Sequence, residues 1–120
     1  MNVETFREYC LRLPLATEDM PFDDNVLVFR ICGKIFACIT FSNPNLCTMK
    51  CAPEKAIDLR ERYKAIDGAF HWNKKHWNQI RFNEDADDKL IFELIDHAYN
   101  EVKNGLPAKT RKTIDNKIEN

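Results

Sequence analysis

The stretch "VLVFRICGKIFACITF" (residues 26–41) decides the fold class, because it holds two apolar runs on either side of a turn signal. Residues 26–32 and 35–41 are rich in β-branched and aromatic side chains, which favour strands. Gly33 and Lys34 have the Gly-X composition of a two-residue type II′ hairpin turn. "SNPN" (42–45) supplies the next turn, and "LCTMKC" (46–51) reads as a third strand. We therefore predict three consecutive antiparallel strands.

Helical patterns flank these strands. "NVETFREYCLRLP" (2–14) has apolar residues at helical spacing, and "APEKAIDLRERY" (52–63) places Pro53 at a first helical position. "NEDADDKLIFELIDHAYNEVKNG" (83–105) is the clearest helix. Its apolar stripe predicts the face that packs against the sheet and consists of Leu90, Ile91, Leu94, Ile95, Ala98 and Val102.

The resulting order is α-β-β-β-α-β-β-α, which predicts an α+β fold with a five-stranded antiparallel sheet and the helices on one face. We expect one domain over residues 1–107, since 120 residues suit a single domain. Residues 108–120 are polar, and we expect them to form a loosely held C-terminal tail.

Charge and hydropathy restrict the possible functions. The formal net charge is −1, which argues against tight non-specific binding to nucleic acid and requires any such function to use a local basic patch. The start of the chain lacks the apolar segment of a signal peptide, and the longest apolar run is far shorter than the roughly 20 residues that span a bilayer. We expect a cytoplasmic protein with no membrane partner.

The five cysteines, Cys10, Cys32, Cys38, Cys47 and Cys51, all lie in apolar periodic segments. Their odd number and position predict buried free thiols without a disulfide or a zinc site.

The segment "FHWNKKHWNQIRF" (70–82) contains both tryptophans and three positive charges. We expect strand, turn, strand, with residues 73–76 forming a four-residue turn. Ile80 would face the core, and Trp77 would be partly buried beside a solvent-exposed tip of Lys74 and Lys75. We also expect His76 and Asn78 to hold the loop through hydrogen bonds to its backbone.

Two interpretations of this segment remain open. Lysines at the tip, with Trp72, Trp77 and Arg81 beside them, supply cations for phosphates and flat rings for bases. Alternatively, the tryptophans close the edge of the core and the lysines are merely hydrated. The spacing of His71 and His76 is a poor match to metal ligands, and no nucleophile, paired carboxylate or phosphate-binding loop is recognisable. We therefore expect no enzyme activity, no metal and no cofactor.

The sequence resembles the MmcQ/YjbR family of small bacterial proteins along almost its whole length. The segments that carry the resemblance are "CLRLPLATEDMPF" (10–22), "VFRICGKIFA" (28–37), "MKCAPEKAIDLRERY" (49–63), "NKKHWN" (73–78) and "ELIDHAYNEVKNGLP" (93–107).

The resemblance implies a YjbR-like α+β fold of the type III secretion chaperone kind, and weak or regulatory DNA binding through two projecting β-hairpin wings. On this chain the wings would be the hairpin at Gly33-Lys34 and the one at residues 73–76. The alternative is a protein-interaction domain that uses an exposed sheet face and binds no nucleic acid. The residues expected to contact DNA are Lys34, Trp72, Lys74, Lys75, His76, Arg81, Lys109, Arg111 and Lys112.

Overall fold

The computed structural model describes residues 1–119, with side chains described for residues 1–117. Within this range the chain forms four helices and six strands. None of these helices is both long enough and apolar enough to cross a membrane. In chain order the elements are α1 (Val3–Arg12), β1 (Ala16–Asp19), β2 (Val26–Ile31), β3 (Lys34–Thr40), β4 (Leu46–Lys50), α2 (Pro53–Arg62), β5 (Ile66–Gly68), β6 (Trp77–Arg81), α3 (Asp88–Asn104) and α4 (Ala108–Glu119).

The strands form one antiparallel sheet in the order β1-β2-β3-β4-β6-β5. The predicted α+β class with an antiparallel sheet is therefore confirmed. The predicted number of strands is wrong, because β1 adds an edge strand in a segment that reads as an acidic turn. Ala16 to Asp19 pair with Ile31 to Val28 of β2, so this strand owes its existence to a neighbour rather than to its own weak β-propensity.

One face of the sheet is covered by the helices. Successive side chains of a strand point to opposite faces, and Ala37, Ile39, Cys47 and Met49 all point to the helical side, where they are buried. The α3 residues Ile91, Leu94, Ile95 and Ala98 pack into the same core, which confirms the predicted stripe. Phe6 of α1 joins this core, where its ring centroid lies 5.9 Å from the ring centroid of Phe29 and 5.9 Å from that of Phe82.

The expected loose tail is instead helix α4. Its residue Ile114 is fully buried in the main core, and Lys103 of α3 forms an ion pair with Asp115 at 2.5 Å. The polar composition of the segment hides this docking, because one buried isoleucine gives no apolar periodicity although its burial contributes about 1.5–3 kcal/mol.

The turn between β2 and β3 lies one residue earlier than predicted. Its central residues are Cys32 and Gly33, with φ angles of 49° and 80°. Two positive φ values indicate a type I′ turn rather than type II′. Cys32 is consequently exposed, and the expectation that all five thiols are buried is wrong for this residue.

Candidate nucleic-acid interface

The β2–β3 turn and the loop before β6 leave the sheet at the same end. In antiparallel pairs the start of one strand lies beside the end of its neighbour, so Lys34 at the start of β3 lies near Lys50 at the end of β4. Lys50 in turn pairs with Trp77, the first residue of β6. A cleft of about 480 Å³ at this end is lined by Lys34, Lys50, Trp72, Trp77 and the last turn of α3, including Glu101.

The loop before β6, residues 69–76, is here named the tryptophan loop. Its tip is a tight turn in which the amide of His76 donates to the carbonyl of Asn73 at 3.0 Å. The Asn73 side chain accepts the amide of Lys75 at 2.9 Å, a local bond that favours turns. Lys74 and Lys75 are exposed at the tip, as predicted. The predicted strand before this turn is wrong, because β5 ends at Gly68 and leaves an eight-residue connection.

Arg60 of helix α2 donates hydrogen bonds that fix the tryptophan loop to the domain. Arg60 Nε donates to Asn78 Oδ1 at 2.6 Å, and its Nη2 donates to the backbone carbonyl of Lys74. Asn78 is 2% exposed and also donates through Nδ2 to the carbonyl of Ala56 at 3.3 Å. The guanidinium therefore links the loop tip to strand β6 and helix α2.

The predicted anchoring by His76 and Asn78 side chains is wrong. Asn78 bonds to Arg60 and to helix α2 rather than to the loop backbone. His76 is half-buried, and its backbone carbonyl accepts the amide of Cys51 at 2.8 Å. Nothing in the sequence around Arg60 distinguishes it from a solvated helix residue, so its role was visible only in the structure.

The two tryptophans are in contact. Their ring centroids are 4.4 Å apart at an interplanar angle of 36°, and the Lys50 ammonium lies 5.4 Å from the Trp77 ring centre. Trp77 is 9% exposed, so it is buried more deeply than predicted and supports the loop. Such a pair stabilises by about 0.5–1.5 kcal/mol beyond the area it buries. Trp72, which is only half-buried, is the ring that a ligand can reach.

The predicted contact residues separate into three groups. Lys34, Trp72, Lys74 and Lys75 lie together at this end of the sheet, with His76 below them, whereas Arg81 lies four residues further along β6. Its guanidinium is paired with Asp67 at 2.6 Å and with Glu84 at 3.2 Å, which neutralises its charge.

The three predicted cations of α4, Lys109, Arg111 and Lys112, line a separate concavity of about 620 Å³ with Lys103 and Asp115. Burial raises the pKa of Tyr99 to about 12, and the Cys32 thiol and Asp115 add to the effect. Gly105 and Leu106, which come shortly before α4, line the cleft that also contains Gly33 and Lys34, so the start of α4 lies near the β2–β3 turn.

The face of the sheet that the helices do not cover is here named the helix-free face. It carries a cleft between two loops. Its floor is formed by side chains that alternate with those of the main core, namely Thr40, Thr48 and Gln79. The tryptophan loop forms one wall, with Phe70, His71 and Trp72. Phe22, which is 63% exposed, adjoins this wall and meets Trp72 edge to face, with ring centroids 6.4 Å apart. The two parts of this cleft measure about 410 and 320 Å³.

Four of the five thiols are buried and are therefore poor nucleophiles. Burial raises the pKa of Cys38 and of Cys51 to about 11 each, and raises that of Cys10 and Cys47 further. Among the side chains that the structure describes, no three His, Cys, Asp or Glu residues are grouped to hold a metal ion.

Comparison with known proteins assigns the chain to a family. The family model YjbR matches residues 11–101. YbdF of Escherichia coli O157:H7 is 30% identical over 112 residues, covering 92% of each chain. YjbR of E. coli K12 is 26% identical over 115 residues, covering 95% of this chain and 98% of the relative.

Two solved structures share the fold. The Deinococcus radiodurans protein DR2400, which carries a DUF419 domain, aligns with a TM-score of 0.86 and 31% identity over 94% of this chain and 87% of its own. A Pseudomonas syringae protein aligns with a TM-score of 0.71 and 25% identity over 84% of this chain and 98% of its own. The sequence match and the shared architecture agree, and the chain belongs to the YjbR family.

Proposed function

We propose that this protein is a non-catalytic DNA-binding protein that contacts the phosphate backbone weakly through the basic end of its sheet. The basic end is defined by Lys34, Lys50, Lys74 and Lys75. The observation that carries the proposal is the convergence of the β2–β3 turn and the tryptophan loop at this end of the sheet, with cations on or directly beside both. Such an arrangement suits a pair of wings that straddle a nucleic-acid backbone.

The availability of these charges supports the proposal. None of the ion pairs found within residues 1–117 involves Lys34, Lys50, Lys74 or Lys75. Arginines elsewhere are largely matched, for example Arg7 by Glu18 at 2.5 Å. Unmatched lysines displace counterions from the phosphates that they contact, and this release drives non-specific binding.

Helix α4 extends the basic surface. It begins near the β2–β3 turn and carries Lys109, Arg111 and Lys112 around one concavity. Lys103 in the same concavity is already paired with Asp115. We assign α4 a supporting role, because the net charge of −1 and the matched Lys103 limit the total attraction for DNA.

The test is a charge reversal at the tip, Lys74→Glu with Lys75→Glu. Binding of labelled DNA, single-stranded and duplex, is measured by fluorescence anisotropy at about 50 mM salt, where phosphate contacts are favoured. Four phosphate contacts predict a slope of log K against log[salt] of about −3.6 for duplex DNA, and each lost contact flattens it by about 0.9. The double reversal should abolish measurable binding and leave the melting temperature nearly unchanged.

A matched control reverses two lysines at the other end of the domain, Lys64→Glu with Lys89→Glu. Both residues are exposed, and the change in net charge is the same. This control should bind DNA far better than the tip variant. Equal losses of DNA affinity in the two variants would show that only the net charge of the protein matters. Failure of the wild-type protein to bind either form of DNA would refute the proposal.

A second candidate function is protein interaction through the helix-free face. The observation that favours it is the rim of this face, where Phe22 and Phe70 are 63% and 74% exposed. Clustered exposed aromatic side chains mark interaction sites on soluble domains. Binding through such a surface should survive added salt, in contrast to phosphate binding.

A further inference from the structure

We infer that the cleft on the helix-free face holds an unpaired base of single-stranded DNA, with Trp72 as the ring on which the base stacks. This inference rests on the proposed function and makes it more specific, because it selects single strands over the duplex. It also assigns a ligand, the DNA base, to the exposed aromatic side chains at the rim of this face.

The position of Trp72 is the first argument. Trp72 lines both parts of the uncharged cleft, of about 410 and 320 Å³, and also the cationic cleft that contains Lys34 and Lys50. The Trp72 ring therefore lies between the uncharged cleft and the cationic cleft. A nucleotide has the same division, with a neutral flat base and an anionic phosphate.

The chemistry of the uncharged cleft is the second argument. Phe22 meets Trp72 edge to face at 6.4 Å, so the two rings form one adjoining aromatic surface, and stacking on aromatic rings accepts any base because every base has a π-face. Thr40, Thr48 and Gln79 supply hydroxyl and amide groups on the floor, and such uncharged donors and acceptors match the edges of bases. None of the residues that line the uncharged cleft, all within residues 1–117, carries a carboxylate, and the cationic cleft has Glu101 beside Lys34 and Lys50.

The reach of the loop is the third argument. Lys75 follows Trp72 by three residues, which span at most about 10 Å of chain. The lysines at the tip therefore stand near any strand whose base enters the cleft. Phe22 precedes Asp23 and Asp24, neither of which lines the cleft. The Asp23 carboxylate accepts the amides of Asn25 and Val26 at 2.8 and 3.1 Å in the turn before β2.

A base in a duplex cannot enter this cleft, because it is stacked and paired and its extrusion costs a few kcal/mol. The inference therefore predicts a preference for single strands. It also predicts that removing an aromatic wall weakens single-strand binding selectively. Stacking contributes roughly 1–3 kcal/mol per base, which corresponds to about 5- to 150-fold in affinity.

The experiment measures binding of a labelled DNA of about 20 nucleotides, single-stranded and annealed to its complement, with quenching of tryptophan emission as a second signal. The variants are Trp72→Ala and Phe22→Ala. Phe22 is 63% exposed, so its removal leaves the fold intact even if Trp72→Ala exposes Trp77 and unfolds the loop. Ile57→Ala, at a 55% exposed position on α2, is the matched apolar control.

We expect single strands to bind at least about 5-fold more tightly than the duplex, and both aromatic variants to lose that preference while Ile57→Ala keeps it. Equal binding of the two forms, unaffected by Phe22→Ala and Trp72→Ala but lost in the Lys74/Lys75 reversal, would overturn this inference and leave the proposed function standing. No binding of either form by the wild-type protein would overturn both.

Discussion

Replacement of Arg60 by methionine tests whether the tryptophan loop is held by one buried hydrogen-bonding group. Methionine keeps an unbranched side chain of similar length but donates no hydrogen bond. The substitution removes the 2.6 Å bond from Nε to Asn78 Oδ1 and the bond from Nη2 to the Lys74 carbonyl. The Asn78 oxygen then lies in a site that is 2% exposed and has lost a charged donor.

The expected cost follows from these two bonds. A hydrogen bond to a charged group contributes about 1.5–3 kcal/mol, and leaving a buried acceptor unpaired costs about 1–3 kcal/mol. The bond to Lys74 is exposed and adds little. We expect Arg60→Met to lower the free energy of unfolding by about 2–3 kcal/mol, or roughly 6–15 °C in melting temperature for a domain of this size.

Chemical denaturation with linear extrapolation measures this loss, and hydrogen exchange at the Lys75 and His76 amides measures the loosening of the loop. The matched second variant is Asn78→Leu, which removes the buried acceptor oxygen, so that no unpaired acceptor remains at this position. The double variant should be more stable than the sum of the single losses predicts, by about 1 kcal/mol or more. A loss below ~0.5 kcal/mol in Arg60→Met, or strict additivity in the double variant, would refute the reasoning.

Three further predictions concern other parts of the molecule. Leu94→Ala should cost about 2–5 kcal/mol by denaturation, because Leu94 is 4% exposed in the main core, and a loss below ~1 kcal/mol would contradict this packing. A thiol reagent should label native protein once, at Cys32, and Cys32→Ser should remove that label; rapid labelling of a second thiol would show that the other four are not buried. The pKa of His97 is lowered by burial and by nearby Lys55, and its neutral Nε2 accepts the Ala52 amide at 3.1 Å. The unfolded chain therefore binds a proton first, so stability should fall as the pH drops from about 6.5, and His97→Gln should flatten this dependence in pH-resolved melting; an unchanged slope in the variant would be the contrary result.

The local sequence pattern was sufficient to predict those elements that have a clear apolar periodicity or turn-forming residues. The central strands, the α3 stripe and the turn at residues 73–76 are all evident from apolar periodicity and turn-forming residues. The alternation in β6 likewise predicted Ile80 inside, and Ile80 is 1% exposed. These features are readable because side-chain direction within one helix or strand is set by backbone geometry alone.

The sequence indicated only part of the candidate site. It indicated the exposed lysines at the tip, since charged residues in a turn face water wherever the turn lies. It placed Trp72 and Trp77 beside that tip, but did not indicate that Trp72 would leave the strand and line two clefts. Phe22 was not recognised at all, because its relation to Trp72 joins segments 50 residues apart in the chain.

What the sequence by itself determined is the fold class, the core face of each strong element and the charge at the loop tip. Tertiary structure alone decided that residues 16–19 pair as a strand, that Ile114 docks α4, and that Arg60 reaches the Lys74 carbonyl. Each of these depends on a partner distant in the chain, and polar or weakly patterned segments carry no local preference strong enough to reveal it. Their free energy comes from hydrogen bonds and burial that exist only once the sheet and α3 have assembled.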